Sequence, residues 1–279
     1  MSAPRQVHCM VIGDPVTHSF SPAIHNAGYR AVGIDDRFQY IARRVKPDDI
    51  ETFMRRVRAS AIRGISCTMP HKQLIGPFLD EIDPIAQKIG AVNTVVKREG
   101  KLYGYNTDWF GTVGPLQKTI QLEGSKVAVI GAGGAARAMV YGLTRAGAKV
   151  TIYNRTMSKA QAIATEFGCI AAPLGTIAAV RDAAIICNAT PVGMGKTSDL
   201  SPIDSRLISP GQVIFDAVYV PYTTTLLKTA TKQGATVVRG TEMLLYQALP
   251  QFALFTGIEA PEDAMRQALR KAVRVLASE

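Results

Sequence analysis

Cysteine is scarce in this chain of 279 residues. The four present, Cys9, Cys67, Cys169 and Cys187, stand far apart and form no C-x-x-C pair, which excludes a disulfide framework and a thiolate zinc site. They read as small buried apolar side chains. His8, His18, His25 and His71 supply no H-E-x-x-H pattern and no close pair of ligands, so no metal is expected; His18 reads as packing around the serines beside it. No apolar run approaches the roughly 20 residues of a membrane-spanning helix. The stretch up to Pro15 holds an apolar patch too short for a signal-peptide core, with no small-residue cleavage site after it, and the expectation is a cytoplasmic protein. Acidic residues are outnumbered, 22 against 32 Lys and Arg, for a net charge of +10. That bias suits an anionic ligand. The bases are scattered singly or in pairs, such as Arg43 with Arg44 and Arg55 with Arg56, without the basic cluster or motif of a nucleic-acid reader. Neither nucleic acid nor membrane is expected as a partner. Internal repeats and low-complexity tracts are missing as well.

What remains is an ordinary globular composition, 47% hydrophobic and 19% charged, which argues against disorder, collagen and coiled coil. From Val7 to Val96 strand and helix patterns alternate. Strands are expected at Val7 to Ile12, Phe38 to Ile41, Ile62 to Cys67 and Thr94 to Val96, with helices opening near Pro22 and after Pro47 and helical segments reaching Ile89. Glu99 and Gly100 form a hairpin turn into Leu102 to Tyr105. A second α/β unit begins at Gly124. Its first strand, Lys126 to Ile130, is continuously apolar after the lysine, the pattern of a parallel strand covered on both faces. Further strands are expected at Val150 to Tyr153, Ile185 to Cys187, Val213 to Phe215 and Thr236 to Val238, and two closing helices at Glu242 to Phe255 and Glu262 to Leu276. Gly193 to Gly211 reads as a loop long enough to be a flexible or ligand-facing segment.

The run Gly131, Ala132, Gly133, Gly134, Ala135, Ala136 directly follows that buried strand and opens a helix. Gly131 allows the tight turn, Gly133 lets backbone N–H groups approach a pyrophosphate, and Ala136 is small enough for helix and strand to pack closely. The helix N-terminus then offers unsatisfied N–H groups and the positive end of its dipole to the anion. The alternative is a glycine-rich turn without a ligand. At the end of the next strand, where a carboxylate would hold a ribose 2′-hydroxyl, stand Asn154, Arg155 and Thr156, with Lys159 close behind. A guanidinium clamps a phosphate by two parallel hydrogen bonds, and no acid stands nearby to repel it. The cofactor expected is therefore NADP rather than NAD, against the alternative that Arg155 is a solvated surface residue.

Four polar groupings lie in the first unit. Ser19 and Ser21, two apart, would point their hydroxyls to one side of an extended segment, toward a single carboxylate; they could equally cap the helix at Pro22. Thr68 to Lys72 is a strand running into a proline-broken turn. Pro70 stiffens it, and a lysine held there can transfer protons, although a lone lysine is more often surface charge. Asn93 offers an amide with donor and acceptor, and Asp108 a carboxylate that could also cap the helix after it. Trp109 and Phe110 read as helix packing.

These segments in this order resemble the shikimate dehydrogenase family, including its shikimate/quinate relatives, nearly end to end. Residues 188–194, 216–219 and 240–247 are similar to that family's later motifs. The resemblance implies an α/β fold with an N-terminal substrate domain, residues 1–107 completed by 241–279, and a doubly wound Rossmann-type NADP domain, residues 108–240, the C-terminal helices returning to the first domain. It implies that Ser19 and Ser21 hold a substrate carboxylate. Thr68, Asn93, Asp108 and Gln247 would bind ring hydroxyls, with Ser66 beside them and Tyr219 near the substrate. Lys72 would sit at the reacting oxygen with Asp108 as its partner. Thr190, Val192 and Met194 would line the cofactor, with Gly240 and Met243 near its nicotinamide. The implied activity is the reversible, NADP-dependent reduction of 3-dehydroshikimate in aromatic amino acid biosynthesis, by a monomer or homodimer. The family commonly has Asn and Val where this chain has Ser66 and Cys67, and the shorter serine implies a gap filled by water. Quinate or a related hydroaromatic acid thus remains an alternative substrate, and a ligand-binding regulator with little turnover an alternative function.

Overall fold

The computed structural model describes residues 7–16 and 19–278, so the expectation for His18 falls outside it. Two compact units form, one from Met1–Thr107 with Gln247–Glu279, the other from Asp108–Tyr246. The chain re-enters the first unit at Gln247, later than the expected 241, because the boundary falls inside a helix rather than before it. No helix among the described residues is long and apolar enough to cross a membrane.

In the first unit, β1 (Val7–Gly13), α1 (Ser21–Ala31), β2 (Phe38–Arg44), α2 (Ile50–Arg58), β3 (Ile62–Cys67), β4 (Glu81–Ile82), α3 (Pro84–Ile89), β5 (Thr94–Arg98) and β6 (Lys101–Tyr105) follow in order. The sheet runs β2-β1-β3-β5-β6-β4, parallel at β2-β1-β3 and antiparallel at β3-β5-β6. In α2, Ile50, Phe53, Met54 and Val57 recur at helical spacing and are buried; with Met10, Ile12, Ile65, Cys67 and Leu102 they make the core on one face. On β3 the intervening residues, Gly64 and Ser66, face the other way, as the two-residue period requires. Glu99 and Gly100 both take positive φ, 51° and 80°, the turn that joins two antiparallel strands through a two-residue loop.

The second unit holds α4 (Asp108–Gln117), β7 (Lys126–Ile130), α5 (Gly134–Arg145), β8 (Lys149–Asn154), α6 (Met157–Phe167), β9 (Ile170–Pro173), β10 (Ile185–Asn188), β11 (Val213–Asp216), α7 (Thr225–Lys232) and β12 (Thr236–Val238). Its sheet is parallel throughout, in the order β12-β11-β10-β7-β8-β9. Alternate residues of β7 enter opposite cores, Val127 and Val129 on one face, Ala128 and Ile130 on the other. The doubly wound expectation holds. Strand order reverses between β7 and β10, and in open parallel sheets the ligand crevice lies at that point, beyond the carboxyl ends of the strands.

Two helices, α8 (Gly240–Thr256) and α9 (Glu262–Ser278), close the chain. Within the first unit, Phe255 of α8 lies so near the sheet that a Cβ on Gly64 would collide with its ring, and Phe252 sits 2.7 Å from where a Cβ on Gly28 would stand. Glycine at both places lets α8 cover the sheet's second face. Several elements depart from expectation. Strand β2 runs on to Arg44 because it is an edge whose exposed outer residues carry no alternation. Strand β9 and the 3-10 run Leu174–Asp182 went unread, since Ile170 is exposed and Ala171 and Ala172 are weak strand formers. Strand β4 is too short to leave a pattern.

Candidate active site

In the second unit the glycine run sits at the carboxyl end of β7. Gly131 takes φ +108°, and a Cβ there would stand 2.9 Å from Thr190 Cγ2 and 3.2 Å from Ala189 backbone, so both conformation and space demand glycine. Gly133 is the N-cap of α5 and no side chain caps it; a Cβ on Gly133 or Gly134 would meet nothing within 4 Å. The cradle is open on the side where the first N–H groups of the helix lack partners, which fits the phosphates of a dinucleotide. The neighbouring loop is built on a buried carboxylate. Asp216 accepts from Asn188 Nδ2 at 2.9 Å, Val218 N–H at 3.0 Å and Thr224 Oγ1 at 2.6 Å. Burial pushes its pKa up, opposed by those donors. Asn188 Oδ1 then takes Thr190 N–H at 3.0 Å and Oγ1 at 2.6 Å, and its Nδ2 donates to Val192 O at 3.1 Å.

At the end of β8, Asn154 Nδ2 donates to Thr156 O at 2.8 Å, tightening the turn that carries Arg155; Arg155, Thr156 and Lys159 are exposed. Arg155 makes no salt bridge to a described residue. Such a corner fits a 2′-phosphate. Ala132 and Ala135 are half-buried beside the cradle, Val192 is half-buried, and Met194 is 44% exposed. Gly240 abuts the backbone of Val218 and Ala217. Met243 is buried in the core of this unit, with its Cγ 2.9 Å from where a Cβ on Gly111 would be. Tyr219 follows β11, where burial raises its hydroxyl pKa. Trp109 stacks on Phe110 at 3.7 Å and meets Tyr141 edge-on, as helix packing does, whereas Phe110 itself is 40% exposed. A cavity of about 460 Å³ lies at the strand-start end, lined by Lys126, Lys149, Tyr153, Cys169 and Ile170 among others. It includes none of the residues expected to hold cofactor.

In the first unit, β5 and the turn after β6 bring the polar side chains together. Asn93, 1% exposed, accepts at Oδ1 from Thr107 N–H (2.8 Å) and Thr94 Oγ1 (2.8 Å), and its Nδ2 lies 3.0 Å from Thr107 Oγ1 and 3.3 Å from Gln247 Oε1. Lys72, half-buried, sits in the turn after the cis Met69–Pro70 bond. Its backbone oxygen takes Val92 N–H at 2.8 Å, linking the lysine turn to the residue before Asn93. Thr68 donates its N–H to Ile12 O at 2.9 Å and accepts His71 N–H at 2.9 Å. Asp108, 1% exposed, opens α4 as the first residue of the second unit, a place where a helix dipole favours a carboxylate.

Two expectations are corrected. The serine pair does not lie on an extended segment: Phe20 between them has φ −80° and ψ −5°, and Ser21 is already helical. Neither serine is the N-cap, although Ser19 Oγ accepts Ser21 N–H at 3.3 Å. Where a gap was expected beside Ser66, a protein group stands: the Tyr40 hydroxyl donates to Ser66 Oγ at 2.6 Å. Ser66 is 5% exposed and also lies 2.9 Å from Gln251 Oε1. Sequence reasoning missed Tyr40, Gln251 and Asp216. Gln251 could have been found, since it falls four positions after Gln247 on one helix face; nothing around Tyr40 in the sequence marks it.

The family model for the shikimate dehydrogenase substrate binding domain matches residues 11–95, that for shikimate / quinate 5-dehydrogenase residues 116–199, and that for the shikimate 5′-dehydrogenase C-terminal domain residues 240–270. A shikimate dehydrogenase (NADP(+)) of Nitrosopumilus maritimus is 42% identical, the match covering 93% of this chain and 96% of the relative. One of Syntrophobacter fumaroxidans is 37% identical over 96% of this chain and 93% of its own. Among solved structures, shikimate 5-dehydrogenase from Thermus thermophilus in complex with NADP(H) and shikimate aligns with a TM-score of 0.89 at 37% identity, covering 96% of this chain and all of that one.

Proposed function

Because the chain belongs to the shikimate dehydrogenase family, we propose that it is an NADP-dependent oxidoreductase that interconverts 3-dehydroshikimate and shikimate, a step of aromatic amino acid biosynthesis. The observation that carries this reading is the amide cluster of the first unit, buried Asn93 against half-buried Gln247 at 3.3 Å, with the Lys72 turn bonded to the residue beside it. A ring bearing several hydroxyls needs such convergent donors and acceptors, because a buried polar group left unpaired costs about 1–3 kcal/mol.

When bound, the nicotinamide supplies or receives the hydride. The chain's own residues do the rest. The Lys72 ammonium gives its proton to the ketone oxygen during reduction and, as the neutral amine, takes one from the hydroxyl during oxidation. Asp108 orients that ammonium. Ser19 and Ser21 hold the carboxylate, and Thr68, Asn93 and Gln247 read the ring hydroxyls, with Tyr219 beside the substrate. Ser66 acts from behind these groups. Gly131, Ala132, Gly133, Gly134 and Ala135 would cradle the pyrophosphate. Asn154, Arg155, Thr156 and Lys159 would hold the 2′-phosphate, and Thr190, Val192, Met194, Gly240 and Met243 would border the nicotinamide half. Residues 1–107 with the C-terminal helices are thus the substrate domain, and the remainder is the NADP domain. A cytoplasmic location and a monomeric or homodimeric form accompany this reading.

Absorbance assays of NADP+ and NAD+ reduction with shikimate and quinate side by side test it. We expect the highest kcat/KM for shikimate with NADP+. Quinate oxidised faster would move the substrate assignment, and binding of both ligands without turnover would leave a sensor.

A further inference from the structure

The first unit contains a line of buried hydroxyls and amides behind Asn93, most of whose members the proposed reaction does not use. It runs from Tyr40 through Ser66, Gln251 and Thr94 to Asn93, across β2, β3, α8 and β5. Its members are at most 5% exposed. Strand pairing sets Ser66 opposite Thr94, and the Tyr40 ring is fixed by His25, stacked 4.2 Å away at an interplanar angle of 4°.

The sense of donation along this line is forced from one end. Thr107 N–H can only donate, and it lies 2.8 Å from Asn93 Oδ1, so the other amide atom, facing Gln247 Oε1, is nitrogen. Thr94 Oγ1 is also 2.8 Å from Asn93 Oδ1, and its single proton goes there; the 3.4 Å contact between the hydroxyls of Thr94 and Thr107 is too long to compete. Thr94 can therefore only accept from Gln251, 3.0 Å away, which must present Nε2. Gln251 Oε1 then takes the one proton of Ser66, at 2.9 Å, and the Tyr40 hydroxyl, 2.6 Å from Ser66, has to donate.

We propose that Thr94 and Tyr40 are positioning residues for substrate: Thr107 N–H sets which amide atom of Asn93 is oxygen, and the one-way hydrogen-bond relay behind it holds that amide, and through it Gln247, in place for the ring hydroxyls. Asn93 commits its nitrogen to Gln247 Oε1, so Gln247 keeps its own Nε2 as the donor for a ligand. The proposal rests on the reading of Asn93 and Gln247 as hydroxyl-binding groups. It adds that these amides are held in place from the far side of the sheet by residues that touch no substrate.

Thr94→Val keeps the shape and removes the hydroxyl, whereas Thr94→Ser keeps the hydroxyl and removes a methyl. We expect Thr94→Val to raise KM for shikimate roughly threefold to tenfold, the worth of one hydrogen bond, with KM for NADP+ unmoved and kcat less affected. Thr94→Ser should stay near wild type in KM while losing thermal stability. Tyr40→Phe, which retains the ring stack, should raise the same KM by a smaller factor, and it carries the test should Thr94→Val not fold. A packing role gives the opposite order, with Thr94→Ser the more impaired. The relay is overturned if KM for shikimate stays at the wild-type value in Thr94→Val or Tyr40→Phe while Asn93→Ala raises it. An unmoved KM in Asn93→Ala would instead remove the reading on which the relay rests, and the relay with it.

Discussion

The two units prepare for a ligand by opposite means. In the second, the site is made of what is absent: no side chain on Gly131, Gly133 or Gly134, no side-chain cap on α5, no salt bridge from Arg155 to a described residue. In the first, it is made of side chains that hold one another, Asn93 between Thr94, Thr107 and Gln247, with Ser66 and Tyr40 behind. Backbone N–H groups suit a phosphate, whose charge is spread and whose oxygens are all acceptors. A hydroxylated ring asks for donors and acceptors in a set order, which only oriented side chains supply. The contrast predicts that damage to one unit is read in one ligand's constants.

The largest effect should break that separation altogether. Lys72→Ala removes the proton donor and should lower kcat roughly 10²- to 10⁴-fold, the usual share of general acid–base catalysis, while calorimetric affinities for both ligands change little. Turnover near wild type would mean that the proton comes from another group. Gly131→Ala sharpens the comparison from the other side. The new methyl enters the space of Thr190 and imposes an unfavourable φ, so folding stability should fall by about 1–3 kcal/mol, and KM for NADP+ should rise while that for shikimate holds. Equal losses in both constants would show that the cradle is not confined to the cofactor.

A separate effect is a pH dependence belonging to the first unit. Burial pulls the His25 imidazole from its ordinary 6.5 to about 3, against a weaker opposing pull from Gln251. The folded chain keeps this ring neutral. The unfolded chain protonates it below 6.5, so its contribution is fully present above that pH and is lost as pH falls toward 3. Urea unfolding should therefore steepen by about 1.4 kcal/mol per pH unit on the acid side. His25→Phe, which preserves the stack, should flatten that slope, and an unchanged slope would place the proton uptake elsewhere.

The same contrast explains how much was legible beforehand. The glycine cradle and Arg155 lie on one strand–turn–helix and the next strand end, so their meaning is local and survives reading in one dimension. Strand β7 was likewise marked by an unbroken apolar run after its lysine, and the observed limits of β3, β7 and β12 are the expected ones. The amide relay joins residues as far apart as Ser66 and Gln251, 185 positions, and no short pattern contains it. Ser66 looked like a loss relative to an asparagine because Tyr40, which donates to it from another strand, could be found only in three dimensions. The serine pair misled for a local reason: two-residue spacing implies a common side only on extended backbone, and Phe20 is helical. The edge strand β9 escaped because an exposed isoleucine and two alanines carry no strand signature.

The division of labour is tested most directly by titrating shikimate and NADP+ separately, by calorimetry, into Asn93→Ala and Arg155→Ala. The account predicts a crossed result: Asn93→Ala weakens shikimate about tenfold and leaves NADP+ alone, and Arg155→Ala does the reverse by a similar factor. If either substitution weakens both ligands alike, or Arg155→Ala leaves NADP+ binding intact, the assignment of one ligand to each unit is contradicted.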